Sequence, residues 1–487
     1  MTPKACDQCY RNKEKCSFTL AAEKRLGRRP NSKSFVHGSL HIWDYERGNQ
    51  IETNNSRSST RASNCISPST SASCLDLALP REKKEDDEQD VPLARVLDQI
   101  LQYHSTLQTT TDAMRIVTHD VQFAVIHIPF TMGRSFMNDL RNSVYSVLSQ
   151  SAPTLTDGYI AFLVLVAHCQ ASRLYCTTPD LYRGARALRV LRNIKTVRHQ
   201  DAVGILLLGQ VLFVFEILTD TFTSSAHSIV RSALISARRW YPFLLQEPRF
   251  DTITICPIIM DTVCCLVYRE VPVIRLCIQN RIIVDRFMGV SSTLMPLLYD
   301  LCVISHIAKS ATAGITLNSP RTIDEEHPDD CYSDIEKSIE DWVPTLPPDF
   351  LSAYDKAEVQ MMLTQANVYR LAGLLVIHRL RYPFGVRDSV AQHYANCIFS
   401  EMSSSCAALT QDGMRALPIM FPLWISMFEV EGPGEDLLEK FSCFPLPSVC
   451  MSKLCGFVKH VRMAKESGYN GLWFDLVENN LHFAVIP

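Results

Sequence analysis

The chain has 487 residues, of which 47% are hydrophobic and 20% charged, and its formal net charge is -3. A near-balanced charge excludes any argument for nucleic-acid binding from the whole chain, so only the local distribution can carry one. The length exceeds one compact core of ordinary size and predicts a large body with a small appended module. The opening residues lack a charged-then-apolar signal pattern, so the 18 cysteines are expected as thiols in a reducing compartment, without a disulfide framework.

Residues 1–34 form a cationic island. Lys4, Arg11, Lys13, Lys15, Lys24, Arg25, Arg28, Arg29 and Lys33 face only Asp7, Glu14 and Glu23. Within it, Cys6, Cys9 and Cys16 are spaced C-x2-C-x6-C. Two cysteines separated by two residues grip one tetrahedral metal from a tight turn, and a third seven positions on closes the site from a short helix. Arg11, Lys13 and Lys15 would project from that helical turn towards phosphates and a base edge.

This pattern, with a lysine just before the third cysteine, resembles the opening half of the fungal zinc binuclear cluster transcription factors. That family uses six thiolates for two zinc ions, and here the second half is missing. The next cysteines, Cys65 and Cys74, fit neither half, while Ser17-Phe18-Thr19-Leu20 resembles the residues just after the family's sixth cysteine. The resemblance implies zinc on Cys6, Cys9 and Cys16, and double-stranded DNA with CGG-type half-sites as partner. The reading pair falls on Asn12 and Lys13, with Arg11 and Lys15 on phosphates; Asn12 departs from the family's usual cation. Lys24, Arg25, Arg28 and Arg29 read as a nuclear import signal, as an arm along the phosphate backbone, or as a solvated charge run.

Residues 35–90 turn polar, as in Asn54 to Thr60 and Ser67 to Ser71, and are expected to form a disordered linker. His37 or His41 could complete a three-sulfur, one-nitrogen metal site across a long loop, or be ordinary exposed histidines. From Val91 the period becomes helical. Leu93, Leu97, Ile100 and Leu107 read either as the first helix of the body or as two heptads of a dimer-forming coiled coil.

The remainder, 91–487, predicts an all-α bundle. Helices are expected over Tyr159 to Tyr175, Ala202 to Thr219, Ser225 to Trp240, Cys256 to Glu270, Pro296 to Ser310, Ser333 to Trp342, Ala357 to Arg379, Val390 to Leu409 and Leu454 to Lys465. The run Ala202 to Leu218 is long enough for a membrane span, but Gly204, Gly209, Gln210 and Glu216 interrupt it, which predicts a buried helix. Cys169, Cys264, Cys265, Cys277 and Cys302 lie in apolar helical patterns and are expected in the core.

Leu374 to Gly385, with its His378-Arg379-Leu380-Arg381-Tyr382-Pro383-Phe384-Gly385 ending, resembles a distinctive segment of the fungal-specific transcription factor regulatory domain. Phe215 to Leu218 with His227, Phe287 to Val290 leading into Leu294 to Ala308, Ile335 to Pro344 and Phe421 to Trp424 fit that family in its order. By residue type alone, the 378–385 segment also reads as a helix C-terminus, with Arg379 and Arg381 at the negative end of the dipole.

No phosphate-binding glycine loop, nucleophile elbow, H-E-x-x-H or dinucleotide fingerprint is present, so no enzyme is expected. The resulting expectation is a nuclear transcription regulator, specific to a pathway or biosynthetic gene cluster, acting as a homo- or heterodimer away from membranes. The alternative is an interaction protein that has lost direct DNA binding and pairs with an intact relative.

Overall fold

The computed structural model describes residues 107–171, 180–194, 197–219, 225–277, 281–314, 331–409, 419–440, 448–478 and 485. All fall within one unit, Thr70–Pro487. The cysteine arm, the linker and all but Leu107 of the heptad pattern lie outside them.

The described residues are all-α, without a strand; a single antiparallel bridge joins Asp285 to Gly289. In chain order the helices are α1 (Thr110–Thr118), α2 (Asp120–His127), α3 (Met137–Ala171), α4 (Leu181–Asn193), α5 (His199–Leu218), α6 (Ser225–Ala237) and α7 (Cys256–Tyr268). They continue as α8 (Met295–Gly314), α9 (Ser333–Glu340), α10 (Lys356–Arg381), α11 (Asp388–Leu409), α12 (Met420–Met427), α13 (Pro433–Lys440), α14 (Ser448–Glu466) and α15 (Trp473–Glu478). Short turns such as Tyr241–Leu244, Asp251–Thr254 and Phe350–Ala353 join them.

Local chemistry sets several starts. Thr109 and Asp112 form a capping box at α1, Asp180 accepts from the Arg183 amide at α4, and Asp355 with Glu358 boxes the start of α10. Inside α3, Ser151 leaves helical geometry two residues before Pro153. A proline supplies no amide to the preceding turn, so the long helix kinks there.

α5 is the centre of the first half. It packs against α3, α4, α6 and α7, and every residue from Ala202 to Phe213 is buried. A helix apolar on all sides is stable only when enclosed. Its glycines permit the close crossings: a Cβ on Gly209 would lie 2.5 Å from the Ala233 Cβ of α6, and one on Gly204 2.8 Å from the Ser151 Cβ at the kink. Four stretches, Arg134–Gln170, His199–Leu218, Pro248–Tyr268 and Ser291–Ala311, are long and apolar enough to cross a membrane, but 89% of the apolar window of α5 is already buried by protein.

Cys264, Cys265 and Cys302 are in the core as expected, whereas Cys169 is only half-buried. Cys277 is a correction: it is exposed, in the non-helical segment after α7, next to an Arg275 that pairs with Asp300. The apolar pattern there belongs to a loop with only one face covered.

α10 is the axis of the second half, packed on α9, α11 and α12. It stops at Arg381, and Arg379 reaches the carbonyls of Tyr382 and Pro383, as a helix C-terminus predicts. Its larger engagement is tertiary. The guanidinium is 1% exposed; Nε donates to Glu429 Oε1 at 2.7 Å, and Nη1 lies 2.9 Å from Asp388 Oδ1. Lys465 of α14 is 3.4 Å from both carboxylates, and Phe384 lies beneath the two cations. Burial pushes the Asp388 carboxyl up, but Arg379 and Lys465 outweigh it and hold the group below its ordinary value.

Breaking one member of a buried pair strands the other charge. Arg379→Met is expected to destabilise the chain by about 3–5 kcal/mol in urea unfolding, and adding Glu429→Leu should recover part of that loss, because no charge is then stranded. A single variant as stable as wild type would show that the network contributes nothing.

Candidate functional site

Helices α2, α3, α5 and α7 converge on an internal cavity of about 70 Å³. Phe130, Leu140, Val144, Phe162, Leu207 and Val211 give it apolar walls, and four polar side chains border it: His127, Tyr159, Gln210 and Arg286. A largely apolar hollow with a few placed polar groups is the usual form of a small-molecule site.

Each polar group has a reason to be there. His127, at the end of α2, bonds through Nδ1 to the Phe123 carbonyl at 2.9 Å. A carbonyl only accepts, so Nδ1 carries the hydrogen; Nε2 is then the acceptor, and the Tyr159 hydroxyl donates to it at 3.1 Å. Burial, with Arg286 adding to it and the Phe123 bond opposing, pushes the His127 pKa down to about 3, so the ring is neutral. Burial likewise raises the Tyr159 pKa well above its ordinary value.

On the other wall, Gln210 of α5 donates through Nε2 to Leu206 O at 3.2 Å and to Ile253 O at 2.7 Å. Its Oε1 accepts from Arg286 Nη2 at 3.0 Å. Arg286, 6% exposed, also donates from Nε to Thr252 O at 2.8 Å and from Nη1 to Phe130 O at 2.6 Å. One side chain thus fastens three separate segments around the cavity.

A second cluster tests the possibility of a metal. His227 of α6 with Asp261 and Cys265 of α7 form a buried group whose donor atoms lie within 4.8 Å of one another. Their separations are 2.9 Å for His227 Nε2 to Asp261 Oδ1, 3.8 Å for Cys265 Sγ to the same nitrogen, and 3.7 Å for Cys265 Sγ to Asp261 Oδ1. The donor types suit zinc, but the surroundings do not. Arg231 Nη1 is 3.4 Å from Cys265 Sγ and 3.5 Å from Asp261 Oδ1, a fixed cation where a metal's charge would have to be. Burial, with Asp261 adding to it, drives the Cys265 thiol far above its ordinary pKa, away from the thiolate a metal needs.

The cluster is not a nucleophile relay either. One imidazole nitrogen faces both the thiol and the carboxylate, whereas such a relay uses two different nitrogens. What it does is fasten backbone: Asp261 Oδ2 accepts from the Val273 amide at 2.6 Å and Arg231 Nη2 donates to Val271 O at 3.1 Å, pinning the chain that leaves α7.

None of the residues singled out for DNA or metal lies among those described: Cys6, Cys9, Cys16, Arg11, Asn12, Lys13, Lys15, Lys24, Arg25, Arg28 and Arg29 are all outside. The cavity residues were not legible as a group. The signal available was the interruption of apolar runs by Gln210 and Arg286, which marks polar atoms needing partners without saying which.

The neutral histidine gives the fold an acid sensitivity of defined sign. A His127 pKa depressed to about 3 means that from about pH 6.5 downwards the unfolded chain takes a proton that the folded one refuses, so stability falls with pH. Between pH 7 and pH 5 wild type should lose about 2 kcal/mol more than His127→Phe in urea unfolding; equal losses would show that the ring is not held neutral. Comparison of the chain with protein families, with curated proteins and with solved structures finds no match.

Proposed function

We propose that this chain is a nuclear transcription regulator that meets DNA through its N-terminal cysteine arm and carries a regulatory module in its helical body. The observation that carries the reading is the C-x2-C-x6-C spacing of Cys6, Cys9 and Cys16 inside a strongly cationic stretch. Thiolates at that spacing bind one zinc, and the same few residues hold the cations that DNA requires. The all-α body with an internal cavity is consistent with the regulatory part of the proposal.

In this mechanism the metal replaces a hydrophobic core, which a module of this size lacks. Lys13 donates to guanine O6 and N7 in the major groove, Arg11 and Lys15 hold phosphates, and Lys24, Arg25, Arg28 and Arg29 extend the electrostatic track. Three thiolates cannot hold two zinc ions, so the arm takes at most one. The same shortage favours a second reading, in which the body pairs with an intact relative that supplies the DNA contacts.

The test is zinc content and DNA binding of the full chain. At most one zinc per chain is expected, with weak binding to CGG-containing duplex that declines steeply with salt. Lys13→Ala should erase the preference for CGG over a scrambled site, while Arg11→Ala should leave preference intact and reduce the logarithmic salt slope by about one. Two zinc ions per chain would overturn the single-metal arm. A salt-tolerant heterodimer without a DNA footprint would favour the second reading.

A further inference from the structure

We propose that the cavity bordered by α2, α3, α5 and α7 is a binding site for a short-chain apolar carboxylic acid, with the carboxylate received by Arg286 and the hydrocarbon by Phe130, Phe162, Leu207 and Val211. The charge of Arg286 is the first reason. Its guanidinium is buried, and its hydrogen bonds go to two carbonyls, one amide oxygen and the Cys256 thiol, all neutral. Among the described residues no carboxylate oxygen lies within 4.0 Å of it. Arg379, buried to a similar degree, has both Glu429 and Asp388.

The adjacent carboxylate does not fill the role. Asp285 turns its Oδ1 back to the Phe287 and Met288 amides, each at 2.9 Å. Asp285 therefore acts on Arg286 only through space, and a desolvated guanidinium with no carboxylate in contact among the described residues can still take one. Three of its five N–H groups go to oxygen and a further contact goes to the Cys256 thiol, which leaves a donor for one carboxylate but too few for a strongly hydrated phosphate.

The remaining walls decide the body of the ligand. His127 is uncharged and satisfied by Phe123 and Tyr159, so Arg286 is the cavity's single charged wall among the described residues. The volume of about 70 Å³ is roughly half that of the ~150 Å³ cavity known to take benzene, which limits the body to a few carbons. The proposal stands whether or not the N-terminal arm reads DNA, and its test contains no DNA.

The full chain is titrated with propanoate and with 1-propanol, reading heat and the thermal unfolding temperature. Saturable binding of one propanoate per chain, with 1-propanol about tenfold or more weaker, is expected from one charge-assisted contact. Val211→Phe, which fills the hollow, should abolish binding. Because that variant could misfold, wild type is also titrated with benzoate, whose ring exceeds the hollow and which should bind about tenfold or more weakly than propanoate. Equal affinity for acid and alcohol, benzoate bound as tightly as propanoate, binding retained by a folded Val211→Phe, or no saturable binding at millimolar acid would each overturn the assignment.

Discussion

The structure of the first half depends on the enclosure of α5. A helix with apolar residues on every side has no face to offer water, so neighbours have to cover it all round, and α3, α4, α6 and α7 do. Close wrapping needs backbone approach, which Gly204 and Gly209 allow where they meet Ser151 and Ala233. Enclosure also forces its two buried polar side chains to find partners inside the protein. Glu216 accepts from the Ser225 hydroxyl at 2.7 Å, and Gln210 is met by two carbonyls and by Arg286.

That requirement explains why the cavity has polar corners. Arg286 comes from a loop after α7 and is anchored because Phe130, Thr252 and Gln210 all present oxygen atoms to it. The second half solves the burial of charge differently. Around Phe384 two cations and two carboxylates neutralise one another and join α10, α11, α14 and the end of α12. One arrangement is electrically closed and acts as a joint between helices. In the other, no carboxylate among the described residues touches Arg286, and a buried charge of that kind beside a hollow is where a ligand's charge has most effect.

The His227–Asp261–Cys265 group shows why donor types alone do not identify a metal centre. Their separations are near those of a tetrahedral site, yet a guanidinium shares the same atoms. The network holds the backbone at Val271 and Val273, so a structural task accounts for each member.

Helical class was legible in the sequence because periodicity and caps are local: nine expected helices correspond to observed ones, with α10 and α11 displaced by only one or two residues at most of their ends. The polar interruptions of Ala202 to Leu218 likewise announced a buried helix rather than a span. The short helices α12 and α15 were not foreseen, since their stability comes from packing rather than from their own sequence, and α4 was not foreseen although Gly184, Ala187, Leu188 and Leu191 give it a one-sided buried stripe. Cys277 was misplaced for a related reason: apolar neighbours in sequence do not guarantee a cover in space. The sequence by itself determined the all-α class, the main apolar helices and the cysteine spacing of the arm. Only the tertiary structure decided that Arg286 meets Gln210 across 76 positions and that Arg379 meets Glu429 across 50, because such pairings arise from how helices cross, which no local period encodes.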